Sequence, residues 1–343
     1  KIIKKANEEC TDYNSVAQKF IEEYQIDAKG LNIKEATVHP KATDNINEMI
    51  SIIKKLMEKG FAYRTKDDDI YFRTKHFREY GKLSHQPLED LEAGARISIG
   101  ETKEDPMDFA LWKSAKPNEP YWQSPWGKGR PGWHIECSGI SLKYLGENLD
   151  IHCGAEDAVF PHHTNEIAQS ECYLGHKWCN YWVHFGFLND KNGKMSTSKG
   201  EFLTVSVLEE KGYNPLAYRY LCLNSYYHNA LTFSYEILDG AEREYLKLKN
   251  KVLSLKEDGE IDTDKFNSYD NKFKEALNNN LNTSMCLTIL YDVLKDNSIN
   301  ESTKISLVQK FDTVLSLDLL KENNVVVDKE LERKVNELIE KRN

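Results

Sequence analysis

Between residues 137 and 188 the sequence alternates between patterns typical of helices and patterns typical of buried strands. Helical spacing over 137–145 is followed by an apolar run at 149–152, a helical stretch at 161–174 and a second apolar run at 183–188. Because parallel strands need a long crossover connection, usually a helix, this alternation predicts an open parallel α/β sheet. Ligands bind such sheets at the carboxyl ends of the strands, so we expect a functional site there.

Two helical patterns precede this stretch. The first covers residues 15–29 and stops at Gly30, a residue that suits the left-handed position after a helix. The second begins after Thr43 or Asp44, either of which can cap a helix, and ends at Gly60. Apolar residues recur on one face of the second pattern, so we expect that helix to pack against a core.

A hairpin and an irregular aromatic segment come next. Residues 61–65 and 69–74 alternate between apolar and polar types on either side of a polar turn, which predicts two antiparallel strands. From residue 76 to 131 the pattern is irregular and rich in aromatic residues, among them Trp112, Tyr121, Trp122 and Trp126. We interpret residues 43–128 as a mixed α/β insertion whose aromatics pack in a core. Stacking on single-stranded nucleic acid is the alternative for these rings.

Beyond residue 200 the pattern becomes helical. A helix is predicted over 214–224, and three or four long helices with polar faces follow from Tyr235 onward. Proline is absent after Pro215, which favours uninterrupted helices. This change predicts a second unit, an α-helical bundle, with its boundary near residues 225–235.

Composition limits the classes of function. The 343 residues include 46 Lys and Arg against 55 Asp and Glu, and the formal net charge of −9 argues against indiscriminate nucleic-acid binding. A local basic face is compatible with that charge. No run approaches the roughly 20 apolar residues of a membrane helix, and we expect no membrane association. The seven cysteines form no CxxC pair, which favours reduced thiols and a cytoplasmic protein.

The strongest candidate site combines Cys137, His162 and Glu166. His162 and Glu166 are one helical turn apart, so both side chains can reach the same point beside a helix. Zinc accepts imidazole nitrogen, carboxylate oxygen and thiolate sulfur, so Cys137 completes three ligands of a plausible set. Alone, a histidine and a glutamate at this spacing more often form a solvated ion pair. The trio is favoured because its members begin two helices at the same end of adjacent predicted strands.

Polar and aromatic residues near this trio suggest a nucleotide or small-molecule site. Gly154 and Asp157 follow the predicted strand at 149–152, where the glycine would let a ligand approach and the aspartate could meet ribose hydroxyls or an ammonium group. A surface turn has the same composition. Trp133 suits either the floor of a pocket or the core. Three further histidines lie nearby and are often only hydrogen-bonded structure at such positions: His134, His152 and His163.

The segment KMSTSKG at 194–200 is the sharpest local signal. Two lysines flank three hydroxyl side chains, and Gly193 and Gly200 lie at either end as hinges. Such a loop can close on a polyphosphate and neutralise the charge that develops when pyrophosphate leaves. A solvated turn has a similar composition but does not usually show this order.

These segments carry a resemblance to a known family. KMSTSKG is similar to the KMSKS signature of class I aminoacyl-tRNA synthetases. GWHIECS at 132–138 and FPHHTNEIAQSE at 160–171 resemble the cysteinyl-tRNA synthetase family within that class. KIIKKANEE at the start and DPMDFALWK at 105–113 fit the same family, so the resemblance covers essentially the whole chain.

The resemblance implies an α/β fold with several parts. These are a Rossmann-type parallel-sheet catalytic domain, an inserted α/β connective domain and a C-terminal α-helical bundle. The implied boundaries are 1–42 and 129–200 for the catalytic domain, with the zinc site and the KMSTS loop in the second part, 43–128 for the connective domain, 201–234 for a stem region and 235–343 for the helical anticodon-binding domain.

The resemblance also implies an activity and its cofactors. The expected reaction is the ATP-dependent activation of L-cysteine to cysteinyl-adenylate and its transfer to the 3′ end of tRNA(Cys). Zn²⁺ would be held by Cys137, His162 and Glu166 together with a cysteine near the family's N-terminus. The thiolate of the amino acid would bind that zinc directly, near Trp133.

The remaining implied roles concern ATP, which would bind with Mg²⁺. The implied ATP-binding residues are His152, Gly154, Asp157, Lys194 and Lys199. The implied catalytic residues are Lys194, Ser196, Ser198 and Lys199. The expected partners are tRNA(Cys), L-cysteine and ATP, and the expected protein is a monomer.

The sequence departs from the family pattern in two places. The His-Ile-Gly-His tetrad that holds ATP phosphates in this family, and its first zinc cysteine, are absent from the sequence and are expected upstream of Lys1. Without that segment we expect the chain to be incomplete for catalysis. Thr197 stands where the signature has its second lysine, and we hypothesise that Lys199 takes over the phosphate contact.

Two other functions fit parts of the same sequence. A cysteine ligase of the mycothiol pathway shares the activation step but joins cysteine to an amino-sugar, which gives no reason for more than 100 residues of helix after Tyr235. A non-catalytic, zinc-bearing RNA-binding fragment is the other alternative. A zinc hydrolase fits poorly, because no second histidine follows a first at the spacing of four residues.

Overall fold

A computed structural model describes residues 2–85, 103–117, 119–190, 193–194 and 203–322. In chain order the helices are α1 (Ile2–Glu8), α2 (Tyr13–Gly30), α3 (Ile46–Glu58), α4 (Trp133–Leu145), α5 (Thr164–Leu174), α6 (Val205–Glu210), α7 (Pro215–Leu223), α8 (Tyr235–Leu253), α9 (Thr263–Asn278), α10 (Thr283–Lys295) and α11 (Glu301–Leu315). The strands are β1 (Ala62–Arg64), β2 (Ile70–Phe72), β3 (Phe109–Ser114), β4 (Trp122–Ser124), β5 (Gly127–Pro131), β6 (Leu149–Ala155), β7 (Cys179–Phe185), β8 (Leu188–Asp190), β9 (Gly193–Lys194) and β10 (Leu231–Thr232).

The chain divides into two compact units. The first, called the sheet unit, comprises Ala36–Leu188 and His228–Ala230. The second, called the helical unit, comprises Lys1–Glu35, Asn189–Tyr227 and Leu231–Asn343. The five-part division implied by the family resemblance is a different partition, and it stays a prediction.

An antiparallel sheet packed against α3 forms the main core of the sheet unit. Its strand order is β1-β2-β3-β5-β4, and the predicted hairpin is present as the antiparallel pair β1–β2, with Ala62 opposite Phe72. Met49, Ile53 and Leu56 on one face of α3 are fully buried in this core. Helical spacing of apolar residues therefore predicts the buried face of α3 correctly.

The start of α3 differs from the prediction. Thr43 and Asp44 do not cap it; they belong to a short 3₁₀ turn, Ala42–Asp44, and Asn45 occupies the N-cap position. The Asn45 side chain makes no capping bond, because its amide donates to the Lys41 carbonyl and its oxygen accepts from the Lys143 ammonium at 2.8 Å. Lys143 lies on α4, and this long-range contact is invisible to local capping rules.

The aromatic residues of the insertion have two different environments. Trp112 and Trp126 are buried with ring centroids 6.0 Å apart, as the packing interpretation predicts. Tyr121 is half exposed, and the Lys128 ammonium lies 4.3 Å from its ring centroid. The packing interpretation is therefore correct for the two buried tryptophans and wrong for Tyr121.

The predicted parallel strands form a two-stranded sheet within the described residues. β6 and β7 pair in parallel, with Leu149 opposite Cys179, and α5 makes the crossover between them. β6 begins at residue 149 as predicted but continues to residue 155, and β7 covers residues 179–185 instead of the predicted 183–188. Ile151 and Tyr181, neighbours across this pair, are 58% and 69% exposed.

The strand before α4 does not belong to that parallel sheet. β5 pairs with β3 and β4 in the antiparallel sheet, whereas β6 pairs with β7. The expectation that the two ligand-bearing helices begin at the same end of adjacent strands is therefore wrong. Strand pairing depends on residues far apart in the sequence, and the local pattern cannot assign β5 to a sheet.

Gly132 fixes the beginning of α4. Its N–H donates to the Leu111 carbonyl at 2.8 Å, and a β-carbon at this position would lie only 1.9 Å from the Ala110 carbonyl oxygen. Only glycine fits so close to the neighbouring backbone. α4 therefore begins in contact with β3, and the side chains of its first turns have a defined position.

The helical stretch predicted at 161–174 is present. Within the π-helical turn Val159–His163, Phe160 has extended backbone angles, so Pro161 is the first residue of a helical stretch that continues into the α-helix at Thr164. The end is as predicted, because Gly175 is in the left-handed conformation with φ 93°.

The helical unit confirms the predicted series of helices after Tyr235. α8, α9, α10 and α11 each begin with a capping side chain that accepts a hydrogen bond from the first turn: Ser234, Asp262, Asn282 and Asn300. In the core the rings of Phe273 and Phe311 stack with centroids 4.0 Å apart. Tyr245 and Leu290 are fully buried beside other apolar residues of the unit.

The N-terminal helices belong to this unit as well. The Arg219 guanidinium on α7 donates to the Leu31 carbonyl at 3.0 Å and to the Leu315 carbonyl at 2.7 Å, which joins the ends of α2 and α11. α2 runs through Gly30, so this glycine is not the left-handed residue after the helix as predicted; Asn32, with φ 52°, has that conformation. Within the described residues, no helix combines the length and apolar character needed to cross a membrane.

Replacing Gly132 tests the close approach of α4 to β3. Gly132→Ala is expected to lower the free energy of unfolding by about 3 kcal/mol, because its β-carbon would overlap the Ala110 carbonyl. Urea denaturation followed by tryptophan fluorescence measures this change. As a control, Gly240→Ala in α8 meets only Arg243 Nη2 at 4.0 Å and should raise stability by up to about 1 kcal/mol. Unchanged stability of Gly132→Ala would contradict the described start of α4.

Candidate metal centre

Three potential metal ligands from two helical segments converge in the sheet unit. Cys137 lies in the second turn of α4, His162 in the π-helical turn before α5, and Glu166 in the first turn of α5. One donor atom from each, namely sulfur, nitrogen and oxygen, lies within 4.8 Å of the other two. The structure therefore brings together the three residues that the sequence selects.

Glu166 is the charged centre of this cluster. Its side chain is fully buried, with Oε1 2.9 Å from His162 Nε2 and Oε2 3.3 Å from His152 Nε2. Neither contact has the alignment of a hydrogen bond, and both oxygens lack such a partner within the described part of the chain. Burial acts to raise the pKa of Glu166, but the two imidazoles outweigh it and lower this pKa to about 2. A buried, ionised carboxylate of this kind fits a cation.

His134 orients the His162 ring. The two Nδ1 atoms are 2.8 Å apart, which leaves Nε2 of His162 facing Glu166. Burial, and in addition the nearby His162, lowers the pKa of His134 to about 4, so His134 is neutral at pH 7. A neutral His134 can accept a hydrogen bond from Nδ1 of His162, so a metal that replaces a proton on Nε2 would bind a neutral imidazole whose ring is still held.

Cys137 is a protonated thiol without a cation. Burial, together with the carboxylates of Glu166 and Glu136, raises the pKa of Cys137 to about 12. A bound divalent cation favours the thiolate and would displace this proton. The donor set of thiolate, imidazole and carboxylate is one that zinc accepts, and the unsatisfied oxygens of Glu166 are consistent with such an ion.

A second group of potential ligands shares Glu166. His152, His163 and Glu166 also place one donor atom each within 4.8 Å of one another. Nδ1 of His163 lies 2.8 Å from Nε2 of His184, so this ring is already hydrogen bonded. Burial lowers the pKa of His163 to about 4. Because zinc binds thiolate strongly, the set that contains Cys137 is the better zinc site.

His184 is a site residue that the sequence reasoning missed. It lies on β7 two residues after Trp182, and the two rings stack at 4° with centroids 6.4 Å apart. Alternation along a strand puts residues two apart on the same face, which is the signal that could have identified it. His163 and Trp182 are also in contact, with ring centroids 5.0 Å apart.

Trp133 lies at the edge of the candidate metal centre. Its ring centroid is 4.1 Å from that of His162, yet the side chain is 64% exposed. It is therefore not a core residue, which removes one of the two interpretations left open by the sequence. One face of the indole contacts a potential ligand, and much of the side chain is accessible to a small molecule.

Three of the residues predicted to bind ATP, namely His152, Gly154 and Asp157, differ in their surroundings. His152 faces Glu166 and contacts the ring of Trp182 at a centroid distance of 4.8 Å. Gly154 lies against His163, because a β-carbon there would be 2.5 Å from Cε1 of that ring. Asp157 is exposed on the 3₁₀ turn Glu156–Ala158. His152 therefore lies beside Glu166 and Gly154 beside His163, and the ATP-binding role of all three residues stays a prediction.

Of the lysine-serine loop at 194–200, only Lys194 lies among the described residues. The backbone of Lys194 pairs with Asn189 in the short antiparallel pair β8–β9. The other residues predicted to act in catalysis, Ser196, Ser198 and Lys199, lie outside the described residues, as does Thr197.

Comparisons with known proteins decide the family. Residues 1–243 match the family described as the tRNA synthetases class I (C) catalytic domain. The whole chain is 42% identical to the cysteine--tRNA ligase of Bacillus cereus strain B4264 and 43% identical to that of strain AH187, and each alignment covers 77% of the relative. This chain belongs to the cysteine--tRNA ligase family. The family resemblance read from the motifs is therefore confirmed, and the protein is a ligase of the aminoacyl-tRNA synthetase class.

Solved structures show the same fold class. Methionyl-tRNA synthetase of Mycobacterium tuberculosis superposes with a TM-score of 0.61 at 12% identity, over 92% of this chain and 80% of that protein. A putative arginyl-tRNA synthetase of Campylobacter jejuni gives a TM-score of 0.52 at 13% identity, over 91% and 69%. At these identities the likeness concerns the fold alone. It confirms the predicted mixed α/β class I synthetase fold with its Rossmann-like catalytic domain.

Removing a ligand from this cysteine--tRNA ligase family member tests the metal centre. The chain is expected to bind one zinc ion, and Cys137→Ala and Glu166→Ala are each expected to weaken binding at least about 100-fold, because each removes one donor. Competition with a chromophoric chelator measures the affinity. Cys153→Ala, which removes an exposed thiol, is the matched control and should bind zinc as the wild type does. Loss of affinity in the control alone would place the zinc elsewhere.

Proposed function

We propose that this chain selects L-cysteine through a zinc ion and serves a cysteine--tRNA ligase reaction. In that reaction L-cysteine and ATP form cysteinyl-adenylate, and the cysteinyl group passes to the 3′ end of tRNA(Cys). The observation that supports this proposal best is the fully buried Glu166 carboxylate beside Cys137 and His162. A carboxylate without hydrogen-bond partners in the described part of the chain is stabilised by a cation.

Selection of cysteine requires more than a shaped pocket. Serine differs from cysteine by one atom and has almost the same volume, so an apolar pocket could discriminate by only about 1–3 kcal/mol. Zinc held by Cys137, His162 and Glu166 would prefer a thiolate to the neutral hydroxyl of serine, because it is a borderline-soft cation that lowers the pKa of a bound thiol. This preference supplies selectivity at the binding step.

The surrounding residues of this chain have supporting roles in the proposal. Trp133 is exposed beside His162 and would contact the side chain of the bound amino acid. His134 holds the His162 ring through the contact between their Nδ1 atoms. Because His134 and His163 have a pKa of about 4, both are neutral at pH 7 and add no positive charge beside the cation.

The proposed nucleotide site lies next to the metal centre in the sequence. ATP, with Mg²⁺, would bind at the end of β6 near His152, Gly154 and Asp157, since parallel strands commonly bind ligands at their carboxyl ends. Lys194 and Lys199 would neutralise the phosphates. The four capped helices α8 to α11 would bind tRNA(Cys), because a small acceptor gives no reason for a bundle of this size.

Pyrophosphate exchange tests the proposed reaction. The protein that carries this chain is expected to catalyse ATP–pyrophosphate exchange with L-cysteine, with kcat/KM about 10⁴-fold above that for L-serine, because only the thiolate binds zinc well. A zinc chelator should abolish the exchange, and a tRNA(Cys) transcript should increase AMP release. A response to glucosaminyl-inositol in place of tRNA would favour the amino-sugar ligase. Zinc and RNA binding without cysteine-dependent exchange would favour the non-catalytic alternative.

A second experiment tests the role proposed for Lys199. Lys199→Ala is expected to lower the rate of pyrophosphate exchange about 100-fold, because a positive charge would be lost where charge develops on the phosphates. Steady-state kinetics with ATP and L-cysteine measure this effect. Lys251→Ala, an exposed lysine in the last turn of α8, is the charge-matched control and should leave the rate unchanged. Unchanged exchange in Lys199→Ala would show that Lys199 does not replace the lysine absent at Thr197.

A further inference from the structure

Gln169 is a fully buried amide on α5 that the proposed reaction does not use. It follows Glu166 by three residues and His162 by seven, so it extends the face of α5 that carries both ligands. The third ligand, Cys137, lies on α4, which packs against α5. Gln169 therefore lies between the two helices whose side chains would bind one cation.

The amide group of Gln169 contacts the turn of α4 that contains Cys137. Its Nε2 donates to the His134 carbonyl oxygen at 3.0 Å and to the Ser138 hydroxyl oxygen at 2.9 Å. His134 precedes Cys137 by three residues and Ser138 follows it directly, so the two hydrogen bonds lie on either side of the ligand. The same contact holds the backbone of His134, whose ring meets His162.

The amide oxygen of Gln169, Oε1, is buried and makes no hydrogen bond within the described part of the chain. A methionine at this position would fill nearly the same volume in the core without leaving a buried acceptor unpaired. The two donated hydrogen bonds, rather than the filling of space, are therefore what distinguishes glutamine here.

We propose that Gln169 is a positioning residue for the metal centre. Its amide holds the Cys137 turn of α4 at the separation from Glu166 and His162 that a shared cation requires. The inference rests on the proposed function, because it needs these three residues to bind zinc. Residues that orient ligands typically change metal affinity 10- to 100-fold when they are replaced.

Three variants test this role. Gln169→Met removes both hydrogen bonds and keeps the volume; zinc dissociation constants from chelator competition are expected to rise about 10- to 100-fold. Ser138→Ala removes one of the two acceptors and should cause a smaller loss; it carries the test if Gln169→Met does not fold. Tyr80→Phe is the matched control, because it removes a different buried hydrogen bond to α5, the one from the Tyr80 hydroxyl to Asn165 Oδ1 at 2.5 Å.

A spectroscopic measurement separates positioning from general stability. With Co²⁺ in place of zinc, the thiolate-to-cobalt absorption band reports on the thiolate ligands, among them Cys137. This band should weaken or shift in Gln169→Met and stay unchanged in Tyr80→Phe, while thermal unfolding of both variants records the loss of a buried hydrogen bond.

Each outcome is decisive. Weaker zinc binding and an altered cobalt band in Gln169→Met, with neither in Tyr80→Phe, support the role of Gln169. Wild-type affinity and spectrum in Gln169→Met overturn the inference but leave the zinc site intact. Equal losses of affinity in Gln169→Met and Tyr80→Phe overturn it as well, since stability alone would then explain both. A wild-type chain that binds no zinc overturns the proposed metal centre and this inference together.

Discussion

The candidate site depends on the electrostatic interaction of the buried Glu166 carboxylate with two neighbouring imidazoles. Burying an ionised carboxylate is costly unless charges and dipoles compensate for the lost water. Two imidazoles, those of His152 and His162, lie within 3.3 Å of the carboxylate oxygens, and Glu166 occupies the first turn of α5, where the helix dipole favours a negative charge. These surroundings keep Glu166 ionised but leave its oxygens without aligned hydrogen-bond donors. A divalent cation would bind such a carboxylate.

The fold places the ligands by packing two helices rather than by aligning strand ends. α4 starts from the antiparallel sheet, where Gly132 contacts the backbone of β3, and α5 follows β6 of the parallel pair after a π-helical turn. Each sheet thus supplies one of the ligand-bearing helices. The candidate metal centre lies where these helices meet, so its geometry depends on the contacts between α4 and α5 more than on either sheet alone.

Local spacing in the sequence identifies the candidate ligands but not the residues that surround them. The interval of four residues between His162 and Glu166 survives the change from α-helix to π-helical turn, and the helices, the hairpin and the cap at Gly175 follow from residue patterns. The errors arise where distant residues decide the structure. Asn45 binds Lys143 instead of capping its helix, β5 pairs with the antiparallel strands, and His184 joins the cluster from β7. Side-chain partners and strand pairing are tertiary properties, and short-range periodicity does not encode them.

The neutral histidines around the candidate metal centre fit the charge of a bound cation. In the proposed site the Cys137 thiolate and the Glu166 carboxylate would offset the charge of a divalent cation, whereas protonated histidines would add buried positive charge in a medium of low dielectric constant. His134 and His163 avoid that cost, because burial lowers the pKa of each to about 4 and they remain neutral. Neutral imidazoles still accept and donate hydrogen bonds, so they can orient a ligand without altering the net charge. Lysine or arginine at these positions would repel the cation.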